Sequence, residues 1–175
     1  MLFPIFGSVI LVAAIVAAIA ASRPDSFRVE RTIVVSAPAG MVFPLIEDFR
    51  AWGKWSPWEN LDPELKRTYS GAAKGVGAIY AWEGNPKVGS GRMEILEAVA
   101  SSRILIKLDF LKPFEAHNLA EFTLTGEGSG TRVLWAMTGL QAFPMKVMGL
   151  VMSMDSMVGK DFEKGLASMK AAAEA

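Results

Sequence analysis

Along most of this chain, hydrophobic residues return at every second position. Phe27, Val29, Ile33 and Val35 alternate with Arg28, Glu30, Thr32 and Val34, as in a strand with one buried face. Arg31 falls on the inward parity, so it belongs near a strand end or against an acidic partner. Five more runs follow. Val76, Ala78, Tyr80 and Trp82 stop at Gly84-Asn85-Pro86. Gly89, Gly91, Met93 and Ile95 form the next, where two glycines signal a bend or the close approach of another backbone. Ile104, Ile106, Leu108 and Phe110 close at Lys112-Pro113. Asn118, Ala120, Phe122 and Leu124 lead into the turn Gly126 to Gly130, after which come Val133, Trp135 and Met137. Short turns between successive strands predict an antiparallel meander with one covered face.

The period changes in two places. Ser36-Ala37-Pro38 opens a helix whose apolar face is Val42, Leu45, Ile46 and Phe49, and Pro44 keeps it short or kinked. After Pro144, Met148, Val151, Asp155, Val158, Phe162, Leu166 and Met169 recur at three- and four-residue steps, predicting a long C-terminal helix. Between Phe49 and Trp58 lie three of the five tryptophans. Each ring covers about 150–250 Å², so this stretch must fold over the core or line a cleft. The predicted class is α+β.

From Leu2 to Ser22 no residue is charged, and a helix there would span roughly 30 Å, the thickness of a bilayer core. The expected organisation is an anchor over residues 1–22, a linker over 23–26 and a domain over 27–175. Two alternatives stay open for the first segment. Ala18-Ile19-Ala20 could serve as a signal-peptide cleavage site, or the helix could belong to the core. The expected localisation is the membrane, through residues 2–22. Arg23, Arg28 and Arg31 follow the segment and favour a cytoplasmic domain, too few to fix the side.

Composition narrows the chemistry. Eighteen basic residues balance eighteen acidic ones, which leaves no field to attract nucleic acid. With no cysteine there is no thiolate metal site or thiol nucleophile. The single histidine, His117, lies on the outward parity beside Leu119 and Glu121 and reads as a surface residue. No acidic cluster has ligand spacing, so neither a metal nor a cofactor is expected, and no catalytic residue is nominated. Tyr80 and Asn118 lie on inward faces, Glu83 on the rim, and Asp155 within the apolar helix stripe, where an ion pair with Arg31 or Arg92 would satisfy it.

The order of elements, together with four local matches, resembles the START-related SRPBCC superfamily and its polyketide-cyclase/dehydrase-like group. The matches are Val29-Glu30-Arg31 with Ala37-Pro38, the run Phe49 to Trp58, Gly130 to Trp135, and Gly159 to Leu166. The resemblance implies a helix-grip fold, a curved antiparallel sheet wrapped around the long C-terminal helix with an apolar cavity between them. The expected cavity lining is Trp55, Tyr80, Trp82, Met93, Phe110, Asn118, Phe122, Trp135, Met137, Met145, Met148 and Met152. The expected function is a membrane-tethered binder of a lipid-like or other hydrophobic small molecule. A cyclase or dehydratase using Tyr80 and Asn118 to polarise carbonyls is the alternative, weakened by the lack of an inward base. A scaffold with a filled core is the third reading.

Overall fold

A computed structural model describes the backbone of residues 2–175 and the side chains of residues 10–175. Seven strands, β1 (Ser26–Val35), β2 (Lys66–Gly71), β3 (Ala78–Glu83), β4 (Ser90–Val99), β5 (Arg103–Lys112), β6 (Ala116–Glu127) and β7 (Gly130–Leu140), form one antiparallel sheet. Its order is β1-β7-β6-β5-β4-β3-β2, a meander closed by pairing the first strand with the last. Four α-helices accompany it: α1 (Leu2–Ala21), α2 (Ala39–Glu47), α3 (Phe143–Met148) and α4 (Met154–Glu174). The curved sheet with α4 across it is a helix-grip fold.

Alternation predicts six of the strands. β2 escapes it because Lys66, Arg67, Thr68 and Ser70 are exposed and only Tyr69 is partly covered, so no hydrophobic period marks it. Of the two glycines, Gly89 lies just before β4 and Gly91 sits at a register shift between Ser90 and Gly91. A second shift lies between Ile95 and Glu97, where Leu96 turns outward.

The apolar period after Pro144 crosses a break. Helix α3 ends at Met148, and α4 restarts at Met154 behind Ser153, whose hydroxyl oxygen accepts from the Ser156 N–H at 3.1 Å. Val151, placed in the helical stripe by sequence, is 93% exposed in that connection. Within α4 the stripe holds: Val158 is partly buried, and Phe162, Leu166 and Met169 are buried. Asp155 is exposed at the start of α4 and pairs with Arg31 at 2.7 Å, while Glu163 takes the Arg31 Nε at 2.7 Å. Arg31 therefore sits mid-strand on the inner face, against the acidic partners one turn and three turns into the helix.

The expectation for the N-terminal segment is corrected. Among the described residues no helix is long and apolar enough to cross a membrane. The part of the expected span at residues 1–9 lies outside the described side chains. The C-terminal end of α1 is also tied into the fold. Ala20 is buried, Arg23 donates to the Gly149 carbonyl at 3.1 Å, and buried Lys146 on α3 donates to the Arg23 carbonyl at 3.0 Å. The anchored, membrane-localised reading is thereby overturned.

Candidate functional site

A cavity of about 370 Å³ lies between the inner face of the sheet and α4. Cross-strand register explains the hollow. Ile106, Ala120 and Met137 form one row across β5, β6 and β7, and the small Ala120 leaves its floor open between two larger neighbours. Beside it Tyr80, Met93 and Leu108 form a second row, and Trp82, Gly91 and Phe110 a third. Gly91 has no side chain because the Trp82 indole occupies that space: a methyl group there would meet the ring at 2.4 Å. Phe110 then packs edge-on to Trp82 at 5.8 Å between centroids.

The opposite wall comes from the tryptophan-rich segment and α4. Asp48 caps a 3-10 turn, Phe49–Lys54, through the Arg50 N–H, and this turn folds Trp52 and Trp55 back beneath α2. Their indole N–H groups donate to the carbonyls of Ile46 at 3.0 Å and Leu45 at 2.8 Å. The Gly75 N–H caps Glu47 O at 3.0 Å. Three of the carbonyls that α2 leaves unpaired at its C-terminus are thus satisfied. Trp135 is the hub of the aromatic cluster. It stacks on Phe162 at 4.0 Å with an interplanar angle of 4°, and on Phe122 at 5.0 Å. Trp55 and Trp58 meet it edge-on at 5.4 and 5.7 Å.

Polar groups in this wall are few. Glu59 is 6% exposed and lines the cavity. Its Oε1 accepts the Tyr80 hydroxyl at 2.6 Å, and its Oε2 accepts Arg67 Nε at 2.7 Å. Burial, then the bond to Glu59, pushes the Tyr80 hydroxyl well above the ordinary tyrosine range, so it stays a neutral donor. The same carboxylate holds the Arg67 guanidinium charged. Trp135 carries a buried indole N–H with no acceptor among the described residues, an omission that costs roughly 1–3 kcal/mol when nothing fills it. Among the described residues no three His, Asp or Glu side chains come together to hold a metal ion.

Of the residues nominated from sequence, Tyr80, Trp82, Met93, Phe110, Trp135 and Met137 border the cavity. Trp55 and Phe122 lie behind it in the core, because their rings pack against Trp52 and Trp135. Asn118 is buried against its cross-strand partner Gly139, and its carboxamide fills the space a side chain there would take. Met145 lies on α3, and Met148 and Met152 are exposed around the break that ends it, so this stretch of methionines turns away from the cavity. His117 is on the outer face, 2.7 Å from Asp109. Sequence reasoning missed Glu59, Ser56, Leu65 and Ala120. Glu59 stands in an irregular segment with no period to give it a face, and alanine gives no size signal until its neighbours are known.

Residues 26–174 match the family described as polyketide cyclase / dehydrase and lipid transport, and the chain belongs to that family. Solved structures share the fold at low identity. One is the Chromobacterium violaceum protein CV1439, 18% identical with a TM-score of 0.59, covering 87% of this chain and 99% of its own. Another is the Aha1 dimer from Colwellia psychrerythraea, 14% identical with a TM-score of 0.61, covering 85% and 96%. A third, DynU16 of the dynemicin biosynthetic locus, is 18% identical with a TM-score of 0.55, covering 85% of this chain and 47% of its own. No curated protein matches the chain.

Proposed function

We propose that this domain binds a hydrophobic small molecule in the cavity between sheet and α4. The observation that carries the reading is an unfilled volume of about 370 Å³ walled by Trp58, Trp82, Phe110, Trp135 and Phe162. Protein interiors pack at crystal density, so a void of this size is uncommon in a domain that has no use for it. It lies within the ~300–1,000 Å³ range of small-molecule sites. Membership of a family whose description includes lipid transport supports the same reading.

The test is titration with N-phenyl-1-naphthylamine, an apolar fluorescent probe. The wild-type chain should show saturable emission enhancement, and Ala120→Phe, which fills the floor, should lose it while keeping its circular dichroism spectrum. Absence of saturable binding by the folded wild type would refute the reading.

A cyclase-type reaction on a polyketide-like substrate is the second reading, favoured by one observation: a carboxylate, Glu59, in the cavity wall. In that case Glu59 supplies the inward base absent from the sequence reading, while the Tyr80 hydroxyl expected to polarise a carbonyl is committed to that carboxylate. Cyclisation of a linear aromatic precursor by the wild type and not by Glu59→Gln would support it; equal turnover would remove Glu59 from the chemistry.

A further inference from the structure

Glu59 is at odds with the rest of its cavity. A carboxylate in a wall of aromatic rings is costly unless its charge is balanced and its oxygens are bonded. Arg67 balances the charge, through Nε to Oε2 at 2.7 Å and through Nη2 to the Glu59 backbone carbonyl. The oxygens are only partly used. A carboxylate offers about four lone-pair sites, and in the protein the Tyr80 hydroxyl and Arg67 Nε take one on each oxygen. The Glu59–Arg67 pair therefore offers acceptor capacity and no net charge, and the other charged side chain of the lining, Lys87, is exposed to solvent. An organic cation would gain little beside a carboxylate already paired with a guanidinium. An anion would be repelled from the same oxygens. A neutral hydroxyl matches what is left, a donor for a free lone pair.

Shape adds a second constraint. At about 370 Å³ the cavity is near the lower end of small-molecule sites and takes one compact ring system, not the two acyl chains of a phospholipid. Flat indole and phenyl faces from Trp58, Trp82, Trp135 and Phe162 suit ring stacking.

We infer that the cavity selects a neutral, compact ring compound bearing a hydroxyl group, and that Glu59 accepts the hydrogen bond of that hydroxyl. The inference rests on the hydrophobic-ligand reading above and makes Glu59 a specificity-determining residue whichever of the two functions the cavity serves.

The test compares β-naphthol with its methyl ether at neutral pH, by calorimetric titration of the full chain. The ether keeps the ring system and the oxygen and lacks only the donor. Wild type should prefer the naphthol by about tenfold. In Glu59→Gln the charge-assisted bond becomes a neutral one of about half the strength, and the preference should drop to about threefold or less. Tyr80→Phe removes a competing donor from Oε1, so the preference should persist. Equal affinities in wild type, with both compounds bound, overturn this inference and leave the cavity reading standing. An undiminished preference in Glu59→Gln, or its loss in Tyr80→Phe, assigns the hydroxyl to another partner and overturns it too. Binding of neither compound by the wild type refutes the cavity reading and this inference together. If Glu59→Gln fails to fold, the wild-type and Tyr80→Phe results decide.

Discussion

Arg31 occupies the space that a side chain at position 159 would need: a methyl group on Gly159 would lie 2.2 Å from Arg31 Nη2. The glycine in α4 is the counterpart of the arginine on the inner face of β1. Its absence of a side chain lets the guanidinium pass beneath the helix to reach Asp155 and Glu163. In an Arg31→Ala background, Gly159→Ala should raise stability by up to ~1 kcal/mol, the helix-propensity gain alone. With Arg31 present that gain should vanish, because the new methyl displaces the guanidinium from both carboxylates. A double-mutant cycle in urea measures the coupling; additive effects would show that the two positions are independent.

The indole bonds to the end of α2 are expected to contribute through the carbonyls they satisfy. Trp52→Phe and Trp55→Phe keep most of the ring and leave the carbonyls of Ile46 and Leu45 without their donors. Each should cost about 1–3 kcal/mol by chemical denaturation. The rings lie 4.7 Å apart, so the double variant should depart from the sum of the singles.

Gly91 holds the cavity wall in position. A methyl group there meets the Trp82 ring at 2.4 Å and the Asp109 carbonyl at 2.5 Å, and the second contact is backbone that cannot swing away. Gly91→Ala should therefore destabilise by about 1–3 kcal/mol. It should also weaken naphthylamine binding, since Trp82 is forced out of the wall it shares with Phe110. Unchanged probe affinity would separate Trp82 from the binding surface.

His117 gives a pH dependence with a defined sign. Its bond to Asp109 raises its pKa above the ordinary histidine value of 6.5. Burial of Asp109 works to raise the carboxyl, but the bonds from His117 and Lys107 outweigh it and hold it below 3.8. The histidine contribution to stability is thus complete below pH 6.5 and fades as pH rises through its higher folded value. The Asp109 contribution is complete above 3.8 and is lost as pH falls through its lower one. Because the chain has one histidine, its imidazole NMR titration is unambiguous, and the midpoint should lie above 6.5. The melting-temperature difference between wild type and His117→Gln should be largest below that pH and shrink above it.

How far the sequence carried depended on whether a residue stood in a period. Val29, Tyr80, Met93 and Met137 stand in alternating runs, and their inward faces were legible before any fold was known. Arg31 and Asp155 were legible in a different way: each broke an apolar face, and a charge on such a face demands a partner. Glu59 had neither signal. Its burial depends on where an irregular segment lands, which is set by Tyr80 and Arg67 on two other strands. The methionines Met145, Met148 and Met152 misled because helical spacing continued across a helix break that one serine cap creates. The N-terminal run was misjudged for another reason. Hydrophobicity reports that a segment avoids water, yet of the described α1 residues only Ala20 is buried, and it is Arg23 and Lys146 that fasten the end of the helix to the α3 region.

The pairing of β1 with β7 has a bearing on how the chain reaches its fold. Ser26 lies opposite Leu140, so the strand made first waits for nearly the whole meander before its edge is covered. Every other neighbouring pair in the sheet is consecutive in the chain and can form as a hairpin. Closure through so large a loop is the slow, high-contact-order event, and it comes last. During synthesis β1 would emerge with its apolar face and its hydrogen-bonding edge both unpartnered. Arg28 and Glu30 on its outer face and Arg31 on its inner face place charge along that waiting edge, the feature by which strand edges discourage pairing with another chain.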